Sequence, residues 1–191
     1  MANKIKYGIK NCYYAVATIQ TDGSATYTTP VSLPGAVSLS MDQQGDANTF
    51  YADNIAYFVS QANNGYQGDL ELALIPDAFR KDVLGEVETT TGKVLIEKLN
   101  AEAKHFALLF QFEGDVNATR YCLYNCVASR SAISSTTKAE SIEPQTETIT
   151  ITATSVFNTS ISQDIVRAKT GDSTTTAVYN GWFSSVFVAA T

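Results

Sequence analysis

Alternation of apolar and polar residues constrains the fold of this chain more than any other feature of its sequence. Segments beginning at Val37, Leu70 and Ile149 place apolar side chains at every second position, with mostly polar residues between them. A strand with this period buries one face and leaves the other in water. The pattern predicts a mainly β protein whose strands bury one face.

Two further segments are apolar at nearly every position. They are Phe106–Phe112 and Tyr121–Val127, and both have the length of a strand. A strand that is apolar on both faces has both faces covered. We therefore expect these two strands inside the sandwich or against a neighbouring subunit.

One short helix is predicted over Pro76–Leu84 and should flank a sheet. Proline is tolerated in a first helical turn, and Phe79 and Val83 are four residues apart on one face. Gly85 fits the left-handed position that follows a helix end. A second, weaker helical pattern covers Ser160–Ala168.

Turn-forming residues divide the strands. Asn63-Asn64-Gly65 has the composition of a tight hairpin turn, which needs positive φ angles. Thr91-Gly92 precedes a strand predicted over Lys93–Leu99, and Gly114-Asp115 follows the Phe-rich strand.

Two regions have the composition of extensions. Met41–Asn54 is polar and suggests a long loop or the tip of a hairpin. The segment 158–191 is rich in Ser and Thr, yet it carries aromatic residues that a solvated tail rarely has. We expect residues 1–157 to form one sandwich domain that includes an N-terminal arm. Residues 158–191 would then form a C-terminal arm docked on the same domain or on a neighbouring subunit.

Charge argues against a tight grip on nucleic acid. The formal net charge is −6, and the 13 Lys and Arg residues form no run. Binding to a phosphate backbone relies on a clustered positive patch. Acidity is still compatible with a channel through which DNA has to slide.

Cysteine usage favours a reducing compartment. The three cysteines, Cys12, Cys122 and Cys126, are an odd number, and the N-terminus has no apolar signal segment. No stretch approaches the length needed to span a membrane. We expect synthesis in a cytoplasm, no membrane partner, and buried thiols in place of disulfides or a zinc site.

The sequence offers little catalytic chemistry. His105 is the only histidine, and no nucleophile or orienting acid stands at a spacing that would complete a site. Gly171-Asp172-Ser173 resembles the opening of an esterase signature, but the serine follows the histidine and no closing motif comes after it. We predict no enzymatic activity, no cofactor and no metal site.

Several segments, in order and spacing, resemble the major tail proteins that form the tube of long-tailed, non-contractile phages and prophages of Gram-positive bacteria, in their compact phi13-type form. The resemblance is densest where Asn64–Ala73 leads into Phe79 and Val83-Leu84-Gly85. The other segments are Lys6–Asn11, Tyr13–Ala15, Pro34–Leu39, Phe50–Asn54, Phe106–Phe110, Gly114-Asp115, Arg120, Tyr124–Cys126, Tyr179-Asn180 and Trp182-Phe183.

The resemblance implies a fold and an assembly. Tail-tube subunits have two packed β-sheets with a flanking helix, and sheets from six subunits join into a barrel around a lumen. Stacked rings then make a hollow tube that delivers the genome. Some relatives add a C-terminal immunoglobulin-like domain, and we expect none after Phe187.

The same resemblance suggests partners and a place. We expect the chain to bind copies of itself, with a tape measure protein, a tail terminator and tail-tip proteins as further partners. DNA would pass through the lumen without tight binding. The protein would be assembled in the host cytoplasm and reside in the tail of the virion.

Three groups of residues are our candidates for these roles. Asp69 and Glu71, on the polar face of a strand, are candidate carboxylates facing the lumen. Arm contacts are predicted for Tyr179, Trp182 and Phe183. The candidates for ring-to-ring contact are Met41, Asp42, Gln43, Gln44, Gly45, Asp46, Asn48, Phe50 and Tyr51.

Two other classes of function stay open at this point. A carbohydrate- or cell-surface-binding β-sandwich of a tail tip or adhesin would also explain aromatic residues and polar loops, and it should remain a small oligomer that binds a glycan. A hydrolase with a hidden site would lose its activity when His105 is changed.

Overall fold

The computed structural model describes residues 5–114, 117–137 and 144–190. Of these described residues, 48% lie in strands and 7% in helices. The strands are β1 (Tyr7–Ile19), β2 (Ala25–Tyr27), β3 (Val31–Ser32), β4 (Ala36–Gln43), β5 (Ala47–Ala52), β6 (Ile55–Gln61), β7 (Tyr66–Leu72), β8 (Val87–Glu88), β9 (Leu95–Ile96), β10 (Phe106–Glu113), β11 (Thr119–Ala128), β12 (Glu147–Thr154), β13 (Val156–Asn158), β14 (Gln163–Ile165) and β15 (Arg167–Lys169). The helices are α1 (Asp77–Asp82) and α2 (Thr176–Gly181).

One antiparallel sheet of nine strands organises the chain. Its order is β2-β1-β10-β11-β12-β7-β4, with β3 added on β1 and β15 added on β11. The sheet curves so that β4 comes near β1, but within the described ranges no pairing closes it into a barrel. Three two-stranded hairpins, β5–β6, β8–β9 and β13–β14, complete the architecture and confirm a mainly β fold of packed antiparallel sheets.

The larger hydrophobic cluster lies on the inner face of this curved sheet, and α1 packs against it. Phe79 is fully buried and meets Tyr14 and Phe106 edge to face, at ring-centroid distances of 5.1 and 5.5 Å. Edge-to-face pairs add to the free energy gained from burial alone. The predicted helix is confirmed, with Pro76 before its first residue, Val83 after its last, and Gly85 at a φ of +78°.

A smaller cluster covers the opposite face of β1, β10 and β11, beneath the C-terminal segment. Leu109, Tyr124 and Trp182 are among its buried members. The predicted burial of β10 and β11 on both faces is therefore confirmed. A register shift between β10 and β11 changes the phase of the strand, so that Cys122 joins this smaller cluster and Cys126 joins the larger one.

The strands with one buried face follow the predicted period, with two exceptions. In β12 the alternation is complete, and in β7 Leu70 and Leu72 are fully buried. Leu74 is exposed because β7 ends at Leu72. Val37 is also exposed, because a bulge between the pairs Ala36–Leu72 and Ser38–Glu71 turns its side chain away from the core.

One turn prediction was wrong, and one predicted strand is shorter than expected. Asn63-Asn64-Gly65 is not a hairpin turn but the link from β6 to β7; the tight turn lies at Asp53-Asn54, whose φ angles are +51° and +61°. The strand expected over Lys93–Leu99 is reduced to β9, which is two residues long. Of the predicted Gly114-Asp115 turn, Asp115 lies outside the described residues.

The helix predicted over Ser160–Ala168 was wrong as well. The side-chain oxygen of Asn158 accepts hydrogen bonds from the backbone N–H groups of Ser160 (2.9 Å) and Ile161 (3.3 Å), which reverses the chain into the β13–β14 hairpin. The second helix is α2, further along the arm. The β13–β14 hairpin crosses residue 157, and a domain boundary at that position stays a prediction.

Candidate functional site

A hairpin projects from the end of the curved sheet. Its first strand and its turn lie within Met41–Asn54, the segment predicted as a polar loop or hairpin tip, and its second strand follows that segment. Residues Met41–Gln43 continue β4, and β5 then pairs with β6 and with no other described strand. At about 3.4 Å per residue, the six to seven residues of each strand extend roughly 20 Å from the sheet. The tip of this hairpin is the turn at Asp53-Asn54.

Large hydrophobic side chains on the hairpin are open to solvent. Because the hairpin has two strands and no covering layer, both of its faces are exposed. Monomeric proteins rarely expose a continuous apolar patch of this kind unless it meets a partner. The side chains more than 60% exposed are Phe50, Tyr51, Ile55, Tyr57, Phe58 and Val59.

Backbone hydrogen bonds fix the hairpin to the sheet. Gln44 donates its N–H to the Gly65 carbonyl, and Asn64 donates to the Gln44 carbonyl, each at 2.9 Å. Gly45 has a φ of +136°, and a Cβ atom there would lie 2.0 Å from the carbonyl oxygen of Ala62. Only glycine fits this junction, so the direction of the hairpin is set by the backbone.

The segment that forms the hairpin and its base is acidic. Between positions 41 and 65 the sequence carries Asp42, Asp46 and Asp53 and no Lys or Arg. A surface that meets it favourably has to be apolar with neutral or positive charge.

Sequence reasoning missed the second strand of the hairpin. The proposed contact residues stopped at Tyr51, whereas Tyr57 and Phe58 are equally exposed. The apolar run Ile55–Val59, directly after the Asp53-Asn54 turn, was the available sign of a strand paired with Phe50 and Tyr51.

A polar face covers the outer side of β4, β7 and β12. Asp69 and Glu71 lie on this face, opposite the buried Leu70 and Leu72. The strand register aligns three polar rows: Ser38–Glu71–Thr148, Ser40–Asp69–Thr150 and Asp42–Gln67–Thr152. The rows contain three carboxylates and no cation.

Hydroxyl groups hold two of these carboxylates in place. Ser38 and Thr146 donate hydrogen bonds to Glu71, at 2.7 and 2.6 Å, and Thr150 donates one to Asp69 at 2.7 Å. The bonds from Thr146 and Ser38 lower the pKa of Glu71 below its ordinary value. Glu71 therefore keeps its negative charge to a lower pH than an ordinary glutamate does. That this face borders a lumen stays a prediction.

The aromatic residues of the C-terminal arm contact their own sheet. Tyr179 donates its hydroxyl to the Ala118 carbonyl at 2.9 Å, and the indole N–H of Trp182 donates to the Tyr121 carbonyl at 3.3 Å. Tyr179 and Trp182 therefore contact their own chain, and the division into a sandwich domain and a docked arm stays a prediction. A contact of these residues with a neighbouring subunit stays a prediction.

Arg120 clamps the arm to the sheet. Its guanidinium lies 3.8 Å from the ring centroid of Tyr179 and 5.0 Å from that of Phe183, and it donates a hydrogen bond to the Tyr179 carbonyl. Phe183 also stacks on Tyr13 at 4.9 Å. Cation–π contacts of a partly desolvated arginine are worth about 1–2 kcal/mol each.

The residues considered for catalysis do not form a catalytic group. His105 Nδ1 lies 2.7 Å from the side-chain oxygen of Asn125, an amide and not an acid. Gly171 and Thr174 close a small exposed turn around Ser173. Among the described residues, no group of three or more His, Cys, Asp or Glu side chains is placed to hold a metal ion.

The three cysteines are free and buried. Burial raises the pKa of the Cys12 and Cys126 thiols to about 12, and it raises the pKa of Cys122 as well. A thiol with a raised pKa is a poor nucleophile and metal ligand.

Within the ranges given above, no helix has both the length and the apolar character that crossing a membrane requires.

Comparison with known proteins agrees with this geometry. A family model described as phage tail tube protein matches residues 2–182 of the 191 residues. No match was found among curated proteins. The family match confirms the resemblance to major tail proteins, while the narrower phi13-type assignment stays a prediction. With nearly its whole length matched and a mainly β fold, the chain belongs to the phage tail tube protein family.

Proposed function

We propose that this tail tube subunit polymerises as stacked rings of six copies into a hollow conduit through which the phage genome is delivered. Its family makes it a structural component of the virion tail that assembles with itself. The observation that carries the finer proposal is the β5–β6 hairpin, which offers six large hydrophobic side chains to solvent. We propose that this hairpin makes the contact between rings.

The energetics of the hairpin support a contact that forms in the polymer. Each of its aromatic side chains exposes more than 60% of its surface in the single subunit. Covering apolar surface contributes about 25 cal/mol per Å². Several such side chains, brought together on one hairpin, would favour association even when only part of their area is covered.

Open edges of the sheet support lateral contacts within a ring. Among the described strands, β4 pairs only with β7 and β2 only with β1, so each leaves one edge unpaired. Unpaired strand edges invite pairing with another chain. In the proposed ring, pairing between subunits closes these edges into a continuous barrel.

The polar face of β4, β7 and β12 is the proposed lining of the lumen. It carries Asp42, Asp69 and Glu71 without a cation, and hydroxyl groups hold Asp69 and Glu71 in place. Fixed negative charge repels the phosphate backbone and keeps DNA mobile.

We propose the partners that the resemblance implies: a tape measure protein inside the tube, a tail terminator at one end and tail-tip proteins at the other. DNA passes without tight binding, and no membrane takes part. Assembly takes place in the host cytoplasm. The net charge of −6, with no Lys or Arg run, supports passage over binding.

Negative-stain electron microscopy of the purified protein over a concentration series tests the proposal. We expect hollow tubes or stacked rings with a central pore as concentration rises. Compact particles at every concentration, combined with binding in a glycan array, would favour the carbohydrate-binding module instead. A variant with Gly-Ser in place of residues 47–61 is the matched control, and it should yield single rings or subunits.

A further inference from the structure

We infer that the hairpin of one copy docks on the opposite end of the next copy, on exposed apolar side chains that surround β8–β9. This inference rests on the proposed function and names the partner surface of the hairpin. We define the receiving surface as Leu74, Val87, Val94, Ile96, Leu99 and Ile133.

Strand β7 connects the two ends of the molecule. Its first residue, Tyr66, adjoins the hairpin, and its last, Leu72, leads through Ile75 into α1. Glu147 faces Leu72 in the neighbouring strand, accepts the Ile75 N–H at 2.7 Å and pairs with Arg80 of α1 at 3.0 Å. Helix α1 therefore lies at the end of the sheet that is remote from the hairpin.

The β8–β9 hairpin is fastened to α1 at this remote end. Lys81 of α1 pairs with Glu88 of β8 at 2.9 Å, and the Lys104 N–H donates to the Val83 carbonyl at 2.8 Å. An ion pair between Arg130 and Glu97 joins the segment that carries Ile133 to the same region. The receiving surface and the β5–β6 hairpin thus lie at opposite ends of one subunit.

Both ends expose apolar side chains without a covering layer. Leu99 and Ile133 are each 103% exposed, and Leu74 is 67% exposed. A contact between two different surfaces at opposite ends of one subunit is heterologous, and it repeats without limit. A contact between two hairpins would instead close as a two-fold dimer and stop.

Charge makes the two surfaces compatible. The hairpin and its base carry three aspartates and no cation. Beside the receiving surface, Lys98 and Lys104 have no ion pair within the described part of the chain, and of the acidic residues there only Glu102 is likewise unpaired. Two unpaired lysines against one unpaired glutamate leave a small positive excess, which favours contact with the acidic hairpin, whereas hairpin against hairpin would bring only negative charges together.

Two variants that each lose one surface test the inference. Tyr57→Asp with Phe58→Asp removes the hairpin surface, and Val94→Asp with Leu99→Asp removes the receiving surface. All four side chains are at least 60% exposed, so circular dichroism should show both variants folded. Aspartate at both surfaces also prevents the two altered surfaces from attracting each other.

We expect tubes from the wild-type protein and none from either variant alone. In an equimolar mixture, the receiving-surface variant supplies an intact hairpin and the hairpin variant supplies an intact receiving surface. The mixture should therefore form stacked pairs whose mass is about twice that of the particles formed by either variant alone. A mixture of two hairpin variants, Tyr57→Asp and Phe58→Asp, is the matched control and should form no pairs.

The outcomes separate the inference from the proposed function. If the wild type forms tubes and the receiving-surface variant forms them equally well, the hairpin docks elsewhere; the inference is overturned and the proposed function stands. If both variants lose assembly and their mixture forms no pairs, the inference is also overturned. If the wild type never assembles, the proposed function fails and this inference fails with it.

Discussion

Replacement of Tyr57 by alanine isolates the contribution of one hairpin side chain to assembly. Tyr57 is 72% exposed, the largest exposed fraction among the six apolar residues of the hairpin. It stands at a register shift between β5 and β6, beside the pair Phe50–Phe58. Because the aromatic side chain of Tyr57 contributes little to the packing of the free subunit, the free energy of unfolding should change by less than about 0.5 kcal/mol.

The effect on assembly can be worked from this exposure. An aromatic side chain offers about 200 Å² for burial, so the 72% exposed fraction leaves roughly 140 Å² to be covered. At about 25 cal/mol per Å², complete coverage would be worth about 3.5 kcal/mol, and coverage of half the area about 1.8 kcal/mol. Since about 1.4 kcal/mol corresponds to a factor of ten, the concentration at which tubes form should rise roughly 20-fold.

Sedimentation of assembled material over a concentration series measures this threshold. Tyr57→Phe is the matched control, because it keeps the aromatic side chain and should leave the concentration at which tubes form within about threefold of the wild type. The reasoning would be refuted if Tyr57→Ala formed tubes at the wild-type concentration. It would also be refuted if urea denaturation showed that the Tyr57→Ala subunit is destabilised, because the loss of assembly would then come from poor folding.

Three further predictions concern the subunit itself. Phe79→Ala should cost about 3–5 kcal/mol of unfolding free energy in urea denaturation, with Phe79→Leu costing less; a loss below about 1 kcal/mol would contradict the packing of α1. Arg120→Lys removes the guanidinium plane that clamps the C-terminal arm, so the fluorescence of Trp182 should shift to longer wavelength; an unchanged spectrum would show that the clamp is dispensable. The pKa of Glu71 is lowered in the folded protein, so its contribution to stability is present above its ordinary pKa of 4.5 and is lost as pH falls through the lower folded value. Thr146→Val removes one hydrogen bond to Glu71 and should raise the pKa of Glu71 in an NMR titration. An unchanged pKa would contradict the role of this hydrogen bond.

The elements that the sequence predicted well are those fixed by short-range pattern. Helix α1 was predictable because Pro76, Phe79 and Gly85 each favour the same local structure. Strands β10 and β11 were predictable because continuous apolar runs of that length have few alternatives to burial. In β12 the alternation of Ile and Thr left only one face for the core.

The hairpin was harder to predict because its register depends on contacts between distant residues. Asn63-Asn64-Gly65 is a stronger local turn sequence than Asp53-Asn54, yet Gly65 is used to accept a hydrogen bond from Gln44. The phase of Val37 was likewise set by a bulge that no local pattern reveals. In the arm, a single side-chain oxygen of Asn158 outweighed a weak helical period.

In the candidate site, the positions of residues on one strand were predictable and their contacts with other strands were not. Asp69 and Glu71 were predictable as neighbours on a polar face, because the period of β7 places them there. Their hydroxyl partners Ser38, Thr146 and Thr150 come from other strands, and alternation alone does not pair strands. The sequence places residues on faces of strands, whereas the surfaces between copies depend on which faces the assembled subunits cover.

Hydroxyl-radical footprinting of the free subunit and of assembled tubes tests the central claim most directly. The claim is that the β5–β6 hairpin is covered by a neighbouring copy. We predict that oxidation of Tyr51, Tyr57 and Phe58 falls several-fold on assembly, while the fully buried Phe79 is oxidised weakly in both states. Tubes in which the three hairpin side chains are oxidised as readily as in the free subunit would contradict the claim.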